Sequence, residues 1–266
     1  MFVVDDWREI FLCLINFAYH VHPHYKLVVS ANRDEFYARK TKHAHFWDEY
    51  PFLLGGKDLE QGGMWLGITK EGKFAALTNY REKISNKKNY RSRGELVKNF
   101  LIGNDHAYDY LKEVERRKND YPGFNLLVGY ADELYYYSNR YDHILKLEKG
   151  IYSLCNSTID CEWEKAKKGK RYMEEVMSIR DEEKIQKRLF ASLLDEEKAP
   201  DELLPDTGLD KELERFLSSI FIKGEDYGTR SSTVILVGYD NRVIFSEKTY
   251  DTDKKTHTFS FMIEKR

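Results

Sequence analysis

Four short polar clusters stand where apolar runs of this 266-residue chain stop or start. Asn32-Arg33-Asp34-Glu35 directly follows the mostly apolar run Leu27 to Ala31, and Thr78-Asn79-Tyr80 follows Phe74 to Leu77. Asn156-Ser157 follows Ile151 to Cys155, and Tyr227-Gly228-Thr229-Arg230 precedes Ser231 to Val237. Strand ends in a layered fold can converge on one cleft, and a cleft gathering these guanidinium, carboxylate and amide groups would be a binding or catalytic site. Taken singly, each cluster is ordinary turn chemistry, because Asn, Asp and Gly favour turns. Arg33 and Asp34 read alone are a mutual ion pair bracing a loop.

The nucleophiles are few. Three cysteines (Cys13, Cys155 and Cys161) make an odd count without the spacing of a disulfide framework or a zinc site, which points to a reducing, cytoplasmic setting. Cys13 by itself reads as a small buried hydrophobe in a strand. His20, His22 and His24 alternate as ligands on one strand face would, but Pro23 sits among them and they read as exposed loop histidines. Asp132-Glu133 is a hairpin turn rather than a metal site. No phosphate-binding glycine loop or serine nucleophile elbow occurs.

These residues must be positioned by the surrounding elements. Leu12 to Ala18 and Lys26 to Ala31 read as a hairpin, with a polar loop beginning at Asn32. Strands follow at Met64 to Ile68 and Phe74 to Thr78, then helices at Gly94 to Ile102 and Asp105 to Arg117, the latter capped by Asp105. Strands return at Phe124 to Tyr130, Leu134 to Ser138, Ile144 to Leu147 and Ile151 to Cys155. The charged stretch Glu162 to Leu194 carries helical spacing, and Glu183 to Lys187 fits a helix surface pair. Ala199 to Gly208 reads as a mobile loop and Asp210 to Ile220 as a helix. Ser231 to Val237, Val243 to Lys248 and Thr256 to Ile263 are the last strands. Strands, then helices, then strands, with hairpin links, argue for an α+β fold of antiparallel sheets covered by helices.

Composition bounds the partners. Charged residues make up 33% and the formal net charge is −2, so no global basic field exists to hold nucleic acid or an anionic membrane. No apolar run reaches membrane-spanning length, so no membrane insertion is expected.

From Cys13 onward the chain resembles the NRDE family, whose animal members are the transport-and-Golgi-organisation proteins. The blocks that carry the resemblance are Ser30-Ala31-Asn32-Arg33-Asp34-Glu35-Phe36-Tyr37, Gly62-Gly63-Met64-Trp65-Leu66-Gly67 and Ala75-Ala76-Leu77-Thr78-Asn79-Tyr80. They continue with Ser92-Arg93-Gly94-Glu95-Leu96-Val97, Gly123-Phe124-Asn125-Leu126, Leu154-Cys155-Asn156 with Trp163 and Lys165, and Tyr227-Gly228-Thr229-Arg230. The family usually shows Gly-Leu-Ser-Asn where this chain has Ser153-Leu154-Cys155-Asn156. The asparagine survives, while the backbone freedom of the glycine does not.

The resemblance implies a four-layer αββα sandwich similar to the N-terminal-nucleophile hydrolases. In that chemistry a terminal cysteine attacks a carbonyl and its own α-amine serves as base. It implies Cys13 as nucleophile, Arg33 as its electrostatic neighbour and Asp34 as partner of the protonated amine. Asn79 and Asn156 would donate amides to the oxyanion, and Arg230 would hold the site or a substrate carboxylate. The activity implied is hydrolysis of a linear amide or related acyl bond in a small molecule. The competing expectation is a non-catalytic carrier on the same fold, with haem or a lipid as its ligand.

That mechanism requires a free amine at Cys13. Residues 1–11 resemble nothing in the family and are expected to be a non-native upstream extension, with residues 12–266 forming a single domain. Codons available to Trp7, Arg8 and Glu9 can form a purine-rich ribosome-binding sequence shortly before Leu12, whose TTG or CTG codon can start translation. Removal of the initiator methionine would then expose Cys13; cleavage between Leu12 and Cys13 is the other route.

Overall fold

The computed structural model describes residues 13–82, 90–250 and 254–264. The expectations about residues 1–11 and a start at Leu12 lie outside them. Thirteen strands form two antiparallel sheets among the described residues. β1 (Cys13–Tyr19), β2 (Tyr25–Phe36), β10 (Gly150–Leu154), β11 (Tyr227–Gly238), β12 (Arg242–Thr249) and β13 (Thr256–Met262) make the first, in the order β10-β1-β2-β11-β12-β13. The second runs β3-β4-β5-β6-β7-β8-β9, from β3 (Thr41–Phe46), β4 (Leu53–Asp58), β5 (Leu66–Thr69), β6 (Lys73–Asn79), β7 (Phe124–Tyr130), β8 (Glu133–Ser138) and β9 (His143–Lys146).

The alternation of apolar residues explains the layering. Ile15, Phe17, Leu27 and Val29 of the first sheet meet Leu66, Phe74, Leu127 and Tyr136 of the second, forming the core between the sheets. Leu14, Ala18, Val28 and Val234, on the opposite face of the first sheet, pack on α3 (Glu164–Val176) and α4 (Glu182–Ser192) through Met173, Val176, Ile185 and Leu189. Ala75, Leu77, Leu126 and Val128 of the second sheet are covered by α1 (Gly94–Ile102) and α2 (Ala107–Arg116) through Val97, Phe100 and Leu111. The result is the expected α+β sandwich of four layers, αββα. A small outlying cluster joins α5 (Lys211–Phe216) to Ile222 and Tyr227.

Several local readings change. The segment from Asn32 is not a loop: β2 continues to Phe36, because β11 pairs with it along its whole length and satisfies its backbone. Tyr227 to Arg230 likewise lies inside β11 rather than before it. Strands β3 and β4 fall in a stretch read as polar loop, since half-exposed strands with charged outer positions lack a clear apolar alternation. Asp105 does not cap α2, which begins at Ala107 after an extended His106; the Asp105 carbonyl instead accepts from Lys73 Nζ at 3.3 Å. The helix from Asp210 stops at Phe216, with Asp210 capping it by accepting from the Leu213 N–H at 2.9 Å. The Ala199 to Gly208 loop is anchored near its start: Asp201 holds Arg215 through two bonds of 2.7 Å, and the Ala199 N–H donates to Ser218 Oγ at 3.0 Å. No helix among the described residues is long and apolar enough to cross a membrane.

Candidate active site

The antiparallel register of β1 and β2 sets Cys13 directly opposite Arg33. Side chains alternate along a strand, so Arg33 and Glu35 share the inter-sheet face with Cys13, continuing the line of Leu27, Val29 and Ala31. Asn32 and Asp34 point the other way, toward the α3–α4 layer, where Asn32 Nδ2 donates to the carbonyls of Leu193 and Ile220, each at 2.9 Å. Where the inter-sheet core ends, the sheets part around a cavity of about 570 Å³. Its walls include Cys13, Arg33, Asp34, Asn79, Arg230 and Glu247, so both sheets contribute.

Five of the six residues singled out from the sequence therefore meet at one cavity. Asn156 stands one layer behind it: it follows β10, and its Nδ2 donates to the Asn79 carbonyl at 2.9 Å. The Arg81 N–H donates to the Asn156 carbonyl at 2.7 Å, so the two asparagines are locked together across the sheets. A buried polar network fixes this junction. Thr78 Oγ1 donates to the Cys155 carbonyl at 2.6 Å, Asn125 Nδ2 donates to the Ser157 carbonyl at 2.8 Å, and Tyr136 Oη donates to Asn125 Oδ1 at 2.8 Å. Buried amides and hydroxyls left unbonded would cost about 1–3 kcal/mol each, so the network specifies one arrangement.

Arg33 and Asp34 do not form the mutual ion pair that their adjacency suggests, because neighbours on a strand face opposite ways. Arg33 pairs with Glu35 at 3.3 Å, and Asp34 Oδ1 accepts from Thr229 Oγ1 at 2.6 Å. Arg230 spends its guanidinium on the chain leaving β2, donating to the carbonyls of Phe36 at 2.9 Å and Arg39 at 3.0 Å. It thereby holds one wall of the cavity.

Burial dominates the ionisation of the site. It pushes the Cys13 thiol up to about 12, aided by the Asp34 charge and opposed by Arg33 and the Asp34 N–H. His43 and His257 also line the cavity. Burial also raises Asp34 to about 6, against the pull of Lys165, the Thr229 hydrogen bond and Arg33. Glu35 is lifted by burial to about 7, with Arg33, the Phe36 N–H and Arg39 opposing. Three buried ionisable groups with displaced protonation beside one cavity form a pattern that catalytic sites share with structural ion-pair networks.

Some contributors were given no individual role by the sequence reading. Lys165, buried on α3, donates to the Leu217 carbonyl at 3.1 Å and acts electrostatically on Asp34. Thr229 meets Asp34 only because β2 pairs with β11 across nearly the full chain length. Glu247 on β12 accepts from the Ala44 N–H at 2.6 Å, joining the sheets at the cavity wall, and nothing in its local sequence signals this. The histidines divide: His22 is buried, with Nε2 3.0 Å from the Ile179 carbonyl, while His24 is exposed. The reading of all three as exposed fails for His22, because the link folds it onto the segment after α3, and for His20, which is half-buried. They also lie at the opposite end of β1 from Cys13.

A layered αββα protein whose sheets part over a buried cysteine, a guanidinium and paired asparagine residues is the class that this geometry defines. The sequence profile of Transport and Golgi organisation 2 matches residues 12–252. The Transport and Golgi organization protein 2 homolog of Bos taurus is 36% identical over 257 residues, spanning 89% of this chain and 92% of that protein. The Homo sapiens homolog is 35% identical over 278 residues, spanning 95% and 100%. The chain belongs to the Transport and Golgi organisation 2 family. Among solved structures, penicillin V acylase from Agrobacterium tumefaciens aligns with a TM-score of 0.48 at 8% identity, covering 95% of this chain and 86% of that one.

Proposed function

We propose that this protein hydrolyses a linear amide or related acyl bond with Cys13 as an N-terminal nucleophile. The observation that carries the reading is the cavity shared by Cys13, Arg33, Asp34, Asn79 and Arg230. With its nitrogen in a peptide bond, the thiol is held protonated near neutral pH by its burial. A free α-amine on the same residue, with an ordinary pKa of about 7.7–8.0, supplies a base directly beside the sulfur. The proposed residues 1–11 extension and start at Leu12, or cleavage after it, are the routes to that amine.

In this scheme the thiol proton passes to the amine and the sulfur attacks the substrate carbonyl. Arg33 favours the thiolate, and Asp34, one step beyond the Cys13–Arg33 pair, balances the ammonium. The side-chain amide of Asn79 donates to the oxyanion, and Asn156 holds Asn79 in place through its carbonyl. The ammonium returns its proton to the leaving nitrogen as the C–N bond breaks, leaving a thioester. Water, deprotonated by the same amine, then releases the acid.

The test compares protein beginning at Cys13 with protein carrying Met-Lys before it, an extension that methionine aminopeptidase does not remove. A thiol-directed electrophile at pH 7 is expected to label Cys13 in the first at least tenfold faster than in the second. Equal rates in the two proteins would remove the terminal amine from the mechanism and leave the carrier reading.

A further inference from the structure

The chain holds a second arrangement of sulfur, independent of Cys13. Cys155 directly follows β10, and its Sγ lies 2.8 Å from Sγ of Cys161. That separation is under 1 Å longer than the bond of about 2.05 Å in a disulfide. The contact is built by the loop. The Ser153 N–H donates to Asp160 Oδ1 and the Asp160 N–H donates to the Ser153 carbonyl, both at 2.8 Å. Asp160 adopts a left-handed φ of 55°, turning the chain so that Cys161 faces back to Cys155. Lys170 holds the Asp160 carboxylate at 3.0 Å, and the Ile159 N–H donates to Tyr136 Oη at 3.3 Å. The ring that a disulfide would close is therefore ordered beforehand.

We infer that Cys155 and Cys161 form a peroxide-oxidisable dithiol whose disulfide displaces the adjoining Asn156. Burial opposes a Cys155 thiolate, but the Cys161 hydrogen bond, Lys165 and Arg81 outweigh it and draw this thiol below its ordinary value. Cys155 is fully buried, whereas Cys161 is half-buried and open to a small oxidant. The proton rests on Cys161, whose thiol is held above its ordinary value by the hydrogen bond to Cys155 and by burial; passing it across the short contact to Cys155 as peroxide arrives frees the Cys161 sulfur to attack. Its sulfur attacks peroxide, the O–O bond breaks, and a sulfenic acid forms with loss of water after protonation. The Cys155 sulfur then attacks that sulfur, the S–S bond forms, the S–O bond breaks, and a second water leaves. Two thiols are oxidised by two electrons and one peroxide is reduced to two waters.

The consequence reaches the cavity through one peptide bond. Pulling the sulfurs together tightens the Cys155–Cys161 loop, and Asn156 is both the next residue and the partner of Asn79 and Arg81.

The full-length protein is treated with one to ten equivalents of hydrogen peroxide, alkylated, digested with trypsin and read by mass spectrometry. Residues 150–165 form one tryptic peptide containing both cysteines. It is expected to lose two hydrogens and resist alkylation, and dithiothreitol should restore two alkylation sites. Cys161→Ser should abolish the two-hydrogen loss, and Cys13→Ala should leave it intact, which separates this inference from the hydrolase reading. Hydrogen exchange at the Arg81 N–H is expected to quicken on oxidation and reverse on reduction. A peptide that stays fully alkylatable, a disulfide between chains, or oxidation without change at Arg81 would overturn the inference.

Discussion

Replacing Asp34 by asparagine is expected to stabilise the protein at pH 8, although the residue lines the cavity. Asp34 is 2% exposed, and its acid is raised from 3.8 to about 6. That difference corresponds to about 3 kcal/mol of disfavoured ionisation. Below pH 3.8 both folded and unfolded chains hold the proton. Between pH 3.8 and 6 the folded chain holds it and the unfolded chain has lost it, so stability falls as pH rises through this window. Above about pH 6 the full penalty is present. Asparagine carries no such penalty and its Oδ1 still accepts from Thr229 Oγ1. Urea titrations at pH 4 and pH 8 measure the difference, with Glu35 titrating equally in both proteins. The expected gain is about 2–3 kcal/mol at pH 8 and less than about 1 kcal/mol at pH 4. A variant no more stable than the parent at pH 8, or equally stabilised at both pH values, would refute the reasoning.

Other perturbations probe the supports of the cavity. Arg81 and Glu214 form a fully buried ion pair, with Arg81 stacked 4.5 Å over Trp163, so Glu214→Ala strands a buried cation and should cost about 3–5 kcal/mol by urea titration. Arg230→Ala removes the donor to two carbonyls and should cost about 1–3 kcal/mol, with faster hydrogen exchange across residues 36–41. A methyl group on Gly63 would sit 2.7 Å from the Gly94 carbonyl carbon, at the start of α1. Gly63→Ala should therefore destabilise by about 1–3 kcal/mol, lowering Tm by about 2–4 °C per kcal/mol. Lys165→Met removes the largest influence that favours ionised Asp34, so the pH window over which stability falls should keep its lower edge near 3.8 and extend to higher pH in urea titrations.

Much of the layering was legible because buried strands write their period into the chain. Leu27 to Ala31 reads as a strand buried on both faces, and α3 and α4 show helical spacing. The ends of β2 and β11 were hidden, since Asn32 to Glu35 and Tyr227 to Arg230 are turn-forming types held extended by each other. Family motifs named the cavity residues, but not the alternation that sends Arg33 to Glu35 and Asp34 to Thr229. The Asn156–Asn79 bond depends on two sheets meeting, which no local pattern records. The Cys155–Cys161 contact was equally hidden, because it rests on the left-handed turn at Asp160.

The most direct test of the central claim is a pre-steady-state assay with a p-nitrophenyl ester as an activated acyl donor. Protein beginning at Cys13 is expected to release a burst of one nitrophenolate per chain and to gain the acyl mass on Cys13, while Cys13→Ala gives neither. A burst that persists in Cys13→Ala, or no acylation of protein with a free Cys13 amine, would contradict the account.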